Sequence, residues 1–421
     1  MPRILQRRIF LPWAVVIALA PAQHAHAIAG DSDKAVGFDG SFRTITAATA
    51  NYAVEGAPQA LQSDGHAQTL LRLVLAGRPS AKLSYEAHLV HDLTMQSRAL
   101  PGGLSAASGM RYRALDERWR WLEDGVVGSG VTLDRLNIKL ALPFADITVG
   151  RQAITFGKTY FWNPLDVFLA FDPTAFDREY KRGVDALRVE IPLGYFSGVS
   201  LVGALGRPQG GHSFYRSALI GRVFTTHFDW DFSAQGGKVY GGYHLGGGAG
   251  GELGPIEARF ELGYFWPTEY LRPVSATPMP QGLSAVVGVG RYFNVFERTL
   301  ALQAEYLFNG RAAADVADSF LWVAKGFLRQ ASPHAVGGTV SYALTPLLRG
   351  SLATIVGIAE RPSLIVQPGF VYSAADEVEL TAGALLAFGA RPKLDAGANL
   401  VVQSEFGAYP HMFYVETKIY F

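Results

Sequence analysis

The chain of 421 residues contains no cysteine, few charged residues and no long apolar run. The absence of cysteine excludes disulfide scaffolds, cysteine-ligated zinc sites and cysteine nucleophiles. Charged residues make up 17% of the chain, below the roughly 25% of an ordinary soluble domain. The longest apolar run, Ile9 to Ala20, has 12 residues, whereas a membrane-spanning helix needs about 20. A helical membrane protein is therefore excluded.

Apolar and aromatic residues are nevertheless abundant, at 49% and 12% of the chain, and glycine occurs 47 times. The mean hydropathy is slightly positive, at +0.14. A formal net charge of +1 gives no indication of a nucleic-acid partner. The apolar residues must therefore be dispersed along the chain rather than collected in helical spans.

The N-terminus has the pattern of a secretory signal peptide. Three arginines, Arg3, Arg7 and Arg8, precede the apolar run, and Ala25-His26-Ala27 fits a cleavage site. A short buried helix is the alternative. We expect residues 1–27 to be a signal peptide and residues 28–421 to form the mature domain. Export of a cysteine-free chain fits the periplasm or outer membrane of a Gram-negative bacterium.

The mature chain alternates between apolar and polar residues. Leu136, Ile138 and Leu140 alternate with Arg135, Asn137 and Lys139, and the pattern recurs over residues 256–264, 300–308 and 377–388. Segments of about 10 alternating residues separated by turns are typical of transmembrane β-barrels. The sequence predicts an all-β, antiparallel transmembrane barrel. A soluble β-sandwich also alternates, and it is the competing architecture.

Long and short connections largely alternate along the chain, as expected for extracellular loops and periplasmic turns. A strand pair with its tip near Gly236-Gly237, followed by a turn near Gly254-Pro255, gives an even count of about 18 strands; 16 is the alternative count. The long connections are predicted near residues 50–65, 96–129, 154–181, 267–280, 309–331 and 391–409.

The final strand carries Phe413, Val415, Thr417, Ile419 and Phe421 on one face. A terminal amphipathic strand ending in phenylalanine resembles the signal that the outer-membrane barrel assembly machinery recognises. Outer-membrane lipid and lipopolysaccharide are the other expected partners. A strand that merely ends at phenylalanine is the alternative.

No motif in the sequence persuasively indicates an enzyme. There is no G-x-S-x-G elbow and no G-x-x-x-x-G-K-[ST] phosphate loop. His88 and His91 lie three apart on a strand and face opposite sides, so they are poor metal partners. We expect no catalytic residues, no metal and no cofactor.

One long connection, residues 154–181, is unusually apolar for a surface loop. It contains Trp162, Phe168, Phe171 and Phe176, and such side chains are expected to pack on something. We expect it to fold into the barrel as a constriction, although packing on neighbouring extracellular loops is the alternative. The candidate constriction residues are Lys158, Trp162, Asp166, Asp172, Asp177, Arg178, Glu179 and Asp185.

About 55 residues around this connection resemble bacterial porin-like outer-membrane families, including the alginate-export family. The resemblance lies in Asp134-Arg-Leu-Asn-Ile, Val149-Gly-Arg-Gln, Phe161-Trp-Asn-Pro-x-Asp166 and Arg178-Glu-Tyr-x-Arg-Gly-Val-Asp185. It implies a pore of about 18 strands for hydrophilic solutes. It also marks Arg151, Asp166, Arg178, Glu179 and Asp185 as motif positions.

Alternation also predicts which charged side chains point into the barrel. Nine basic and eight acidic residues share the inward parity, and polyanion export would require a strong basic excess. We therefore expect passive passage of small hydrophilic solutes or oligomers, the alternative being a non-enzymatic sheath or partner of a periplasmic or secreted complex. The inward residues are Arg43, Arg72, Arg135, Lys139, Arg188, Arg222, Arg259, Arg349, Lys418, Asp39, Glu86, Glu190, Glu257, Glu261, Glu305, Glu379 and Glu416.

Arg151 does not fit this alternation. It has the parity of Val149 and would point to lipid. Either a β-bulge redirects it or it lies at the rim.

Overall fold

The computed structural model describes residues 29–30, 35–51, 54, 63–97, 111–115, 117–169, 173–174, 179–206, 213–268, 279–324, 326–397 and 400–421. The predicted signal peptide lies outside these ranges and stays a prediction. Within them, no helix combines the length and apolar character needed to cross a membrane.

Eighteen antiparallel strands form one sheet that closes on itself, which confirms the all-β barrel and the strand count. The first barrel strand pairs with the last, as Arg43 opposite Lys418 illustrates, so a β-sandwich is excluded. The strands are β1 Gly37–Ala50, β2 Ser63–Ser80, β3 Leu83–Gln96, β4 Val127–Ala141, β5 Asp146–Gln152, β6 Val184–Pro192, β7 Ser197–Ala204, β8 Ala218–His227, β9 Trp230–Val239, β10 Gly242–Leu253, β11 Ile256–Pro267, β12 Gly282–Val295, β13 Arg298–Asn309, β14 His334–Ala343, β15 Leu348–Ile358, β16 Ser363–Ala375, β17 Val378–Phe388 and β18 His411–Tyr420.

A few short elements accompany the barrel. Ala29–Gly30 pairs with β1, Arg118–Glu123 pairs with β4, and Lys393–Leu394 pairs with Leu400–Val401. Among the described residues, the α-helices Ser213–Arg216 and Val316–Ala324 and the 3-10 helix Phe406–Ala408 lie in connections at the end of the barrel where most connections are long.

The two ends of the barrel differ in their connections. At the end that carries the start of β1 and the finish of β18, every connection has two to four residues. At the other end, seven of the nine connections are long, and those after β9 and β15 are short. Even strand number and this asymmetry are typical of outer-membrane barrels.

The predicted strand tip at Gly236-Gly237 is wrong by about four residues. Strand β9 continues to Val239, and the turn is Tyr240-Gly241, whereas the turn at Gly254-Pro255 is confirmed. Gly237 has φ +149°, and a Cβ atom there would lie 2.1 Å from the Leu219 carbonyl oxygen. Glycine at 237 is therefore required by a close approach of β8, which sequence alone does not distinguish from a turn.

Alternation in β4 shows how the wall is built. Leu136, Ile138 and Leu140 have 50%, 53% and 43% of their surface exposed, whereas Asn137 between them is 9% exposed. The apolar face points outward, as in a barrel set in lipid. A bulge interrupts the pattern because Arg135 pairs with His88 and Leu133 pairs with Leu89, which leaves Asp134 as an extra residue.

The interior at the end with long connections is apolar. Two clusters of buried side chains join the strand ends to the connections that fold onto them. One contains Phe156, Phe168, Ile220 and Phe265, and the other contains Trp162, Val286, Ile355 and Phe406. The charged inner positions lie on the remaining parts of the strands.

Candidate functional site

The candidate site is built by residues 153–183, hereafter the inner segment. It leaves the wall after Gln152 and returns at Val184, and these two residues pair in the β5–β6 ladder. Six of its apolar side chains have no more than 3% of their surface exposed. The six are Ile154, Phe156, Phe161, Trp162, Leu165 and Phe168.

Two glutamates on the barrel wall accept hydrogen bonds from the backbone of the inner segment. Glu261 on β11 accepts hydrogen bonds from the backbone N–H groups of Lys158 and, at 3.1 Å, Thr159. Glu305 on β13 accepts from those of Tyr160 and, at 2.7 Å, Phe161. Four successive peptide N–H groups are thus satisfied by two side chains that are 2% and 3% exposed.

The C-terminal half of the inner segment contacts strands elsewhere around the barrel. Glu179 accepts hydrogen bonds from Lys418 Nζ at 3.1 Å and Tyr420 Oη at 2.9 Å, both on β18. The Arg72 guanidinium on β2 lies 4.1 Å from the ring centroid of Tyr180. The inner segment therefore contacts β11 and β13 in one part of the wall, and β18 and β2 in another.

A buried ion pair joins the two halves of the inner segment. Lys181 Nζ donates to Asp166, and both residues are under 9% exposed. Burial raises the pKa of Asp166 and lowers that of Lys181, while their mutual attraction opposes both shifts. A pair this poorly solvated depends on both partners being present.

Arg151 lies at the end of the pairing between β5 and β4. Beyond this point the short strand Arg118–Glu123 pairs with β4 instead. Its guanidinium donates to both Asp185 carboxylate oxygens, at 2.7 and 3.1 Å, and to the carbonyl oxygens of Leu115 and Leu133, both at 2.7 Å. The Glu117 carboxylate is a second ion-pair partner, with its Oε2 2.9 Å from Arg151 Nη1. The Arg151 side chain is therefore buried and joins neighbouring segments of the barrel wall, a role called the clamp below. It does not face lipid, although its position in the alternation would place it there.

Most of the charged residues predicted to line the pore have partners. The Arg222 guanidinium lies 4.9 Å from the Phe156 ring centroid, and its Nε, like those of Arg135 and Arg188, is buried without a hydrogen-bond partner. The ion pairs are Arg43–Glu416, Arg72–Asp134, Glu86–Arg135, Lys139–Asp146, Arg188–Glu190, Glu257–Arg259 and Glu379–Lys418. Three candidate constriction residues, Asp172, Asp177 and Arg178, lie outside the described residues.

A cavity of about 150 Å³ adjoins the inner segment. Trp162 and Phe168 line it together with three arginines from other connections, Arg111, Arg311 and Arg329. The Arg311 guanidinium lies 4.4 Å from the Phe265 ring centroid. Burial, and secondarily the charge of Arg111, lower the pKa of Arg311 to about 9, so it is charged but poorly solvated at neutral pH.

A third buried carboxylate fixes the neighbouring connections. Glu405 accepts hydrogen bonds from Gln330 Nε2 and Ala331 N, at 2.7 and 2.6 Å, and from Ser332 N and Oγ, at 2.9 and 2.6 Å. Gln330 in turn accepts from Trp162 Nε1 at 3.0 Å. Three connections are thereby joined around the cavity.

The roles of several of these residues are not visible in the sequence. Asp134 belongs to a motif quoted above, but strict alternation places its side chain outward, and only the two-strand register reveals the bulge that turns it inward. Arg311, Gln330 and Glu405 lie in connections without periodicity, so no local pattern distinguishes them from solvated polar residues.

No protein-family model and no curated protein matches the chain. Solved structures match it in fold. The outer-membrane protein OpdK of Pseudomonas aeruginosa gives a TM-score of 0.55 at 8% identity, covering 92% of this chain and 98% of that one. OccD3 (OpdP) of the same organism gives 0.52 at 9% identity, covering 94% of each.

A third structure, OccAB4 of Acinetobacter baumannii, gives a TM-score of 0.52 at 9% identity, covering 91% of this chain and 98% of that one. At such identities the likeness establishes the fold. The chain has the 18-strand barrel fold of outer-membrane porins. The narrower relation to the alginate-export family is not supported.

Proposed function

We propose that this protein is a non-enzymatic channel of a Gram-negative outer membrane through which small hydrophilic solutes or oligomers diffuse. The closed 18-strand barrel with an outward apolar face carries the proposal, because barrels of this size enclose an interior wide enough for water. The likeness in fold to OpdK and OccD3 supports it.

The inner segment is proposed as the constriction of this channel. Its support is the set of contacts with β2, β11, β13 and β18, which reach widely separated parts of the wall. Its aromatic side chains occupy space that water would fill in an open barrel. The apolar composition of residues 154–181 favours the same role.

Reconstitution into planar lipid bilayers tests the channel. We expect discrete conductance steps that scale with salt concentration, because solutes pass by diffusion. A barrel that serves only as a sheath for a periplasmic partner would conduct nothing on its own. Absence of conductance from both the intact protein and a variant without the inner segment would contradict the proposal.

The inward charged residues are proposed to line the path on either side of the constriction. Because opposite charges are paired within hydrogen-bonding range, the field along the axis is nearly balanced. We therefore infer weak selectivity by charge outside the constriction, which fits small solutes better than a polyanion.

The arginine-lined cavity is proposed to bind aromatic carboxylates. OpdK has been solved with vanillate, an aromatic carboxylate, and this cavity offers guanidinium groups beside aromatic rings. A bound carboxylate would restore the solvation that Arg311 lacks.

Arg311→Gln is expected to weaken block of the channel current by added vanillate by about tenfold to 100-fold, since a hydrogen bond to a charged group is worth about 1.5–3 kcal/mol. The matched control is Arg298→Gln, because Arg298 donates to the Leu344 carbonyl at the opposite end of the barrel. Equal half-blocking concentrations for the two variants would exclude the cavity as the binding site.

Export and assembly complete the proposal. The signal peptide at 1–27 would direct export, and Phe421 would present the final strand to the barrel assembly machinery, with lipopolysaccharide around the finished barrel. Support comes from the position of Phe421, whose backbone N and O atoms exchange hydrogen bonds with Gly40 at 3.0 and 2.7 Å.

A further inference from the structure

We propose that Glu261 and Glu305 are positioning residues that fix the tip of the inner segment, residues 158–161, and so make the constriction a rigid element. The inference rests on the proposed function in that it gives the constriction its mechanical basis. Neither glutamate then acts as a contact for passing solutes.

The hydrogen-bond geometry supports anchoring. Peptide N–H groups 158 to 161 lie in a stretch without regular secondary structure and have no ladder to satisfy them. Each unsatisfied buried N–H group would be costly, and two carboxylates accept all four. A carboxylate accepts such bonds strongly because it is acceptor-only and charged.

Glycines in the wall make room for the anchors. A Cβ atom at Gly288 would lie 2.9 Å from Glu305 Cγ and 3.1 Å from its Oε1. A Cβ atom at Gly248 would lie 3.0 Å from Glu261 Cγ. At Gly337, a Cβ atom would lie 2.6 Å from the Phe161 ring. The wall is therefore shaped to hold both the carboxylates and the segment tip.

Other inward glutamates do not share this arrangement. Glu257, four residues before Glu261 on β11, is paired with Arg259. Glu190 on β6 is paired with Arg188. Their side chains are about 30% exposed, whereas the two glutamates that anchor the segment are almost fully buried. This contrast provides control positions that lose the same charge without losing an anchor.

The test compares Glu261→Met and Glu305→Gln with the control Glu257→Gln. Methionine is needed at 261 because a single oxygen of Glu261 accepts both N–H groups, and glutamine would keep such an oxygen. At Glu305 each oxygen accepts one N–H group, so the NH2 group of glutamine, which cannot accept, removes one of the two bonds. We expect both anchor variants to show rapid current fluctuations between conductance levels and a larger mean conductance. Glu257→Gln is expected to keep the steady current of the intact protein. Folding is checked by the heat-dependent shift in electrophoretic mobility that closed barrels show.

A second comparison displaces an anchor without removing charge. Gly288→Ala would push the Glu305 side chain, whereas Gly290→Ala on the same strand approaches Glu257 Oε2 at 3.2 Å. We expect fluctuating currents from Gly288→Ala and not from Gly290→Ala. This comparison distinguishes the effect of displacing the Glu305 carboxylate from the effect of removing its charge.

A spin label gives a measurement that does not depend on conduction. The chain has no cysteine, so Tyr160→Cys can carry a single nitroxide at the segment tip. We expect a slow, single-component spectrum in the intact background and a mobile component when Glu305→Gln is added. Identical spectra and steady currents in the anchor and control variants would overturn the inference. If the label becomes mobile only when Glu305→Gln is added, but neither the intact protein nor any variant conducts, the channel is refuted and the anchoring stands.

Discussion

Replacing residues 156–180 with a short glycine–serine linker is expected to raise the single-channel conductance several-fold. The replacement is feasible because Gln152 and Val184 are paired neighbours in the β5–β6 ladder, so a tight connection can bridge the ends. Without the segment, an 18-strand barrel retains an interior wide enough for a continuous water column. Conductance per channel in planar bilayers is the measurement.

The matched control places the same linker in the turn 344–347, at the opposite end of the barrel. That variant is expected to conduct like the intact protein. If the segment replacement leaves the conductance unchanged while the barrel stays folded, the inner segment does not limit the path, and packing among the outer connections becomes the better description.

Arg151→Met is expected to lower the free energy of unfolding by about 3–5 kcal/mol, the usual cost of removing one partner of a buried ion pair. The side chain of Arg151 is only 2% exposed and that of Asp185 is 16% exposed. Methionine would leave the carboxylates of Asp185 and Glu117 without their cation and two carbonyl oxygens without the donor that Arg151 supplies. Unfolding in urea, followed in detergent micelles by tryptophan fluorescence, measures the loss.

Arg188→Met is the control for this effect. Arg188 is paired with Glu190, and their side chains are 27% and 32% exposed. Its loss is expected to cost less than about 1 kcal/mol because water screens exposed pairs. Similar losses for the two variants would mean that Arg151 is not a clamp and that the wall at the end of β5 is held by its backbone pairing.

The wall of the barrel could be predicted from sequence because alternation is a local property. In a strand, successive side chains such as Leu136 and Asn137 point to opposite faces, so the sequence alone predicts which of them faces outward. Counting the segments that alternate in this way gives the number of strands. The tip at Gly237 was misplaced because a glycine for close approach looks like a glycine for a turn. The bulge at Asp134 depends on the register of two strands.

The interior contacts could not be predicted in the same way. The bond between Thr159 and Glu261 spans about 100 residues, and that between Phe161 and Glu305 spans more. No local pattern encodes such a pairing, and a glutamate that anchors a segment has the same parity as one that faces water. The apolar character of residues 154–181 did predict burial, which Trp162 and Phe168 bear out at 3% exposure each.

The pairing of β1 with β18 has a consequence for how the barrel forms. Arg43 and Glu416, an ion pair across this seam, are separated by 373 residues. Contacts so distant in the chain form slowly, because a large loop must close before they contribute. Until then β1 and β18 are open edges that can pair with other chains. Substitutions along the seam should therefore alter folding yield and aggregation more than the properties of the finished barrel.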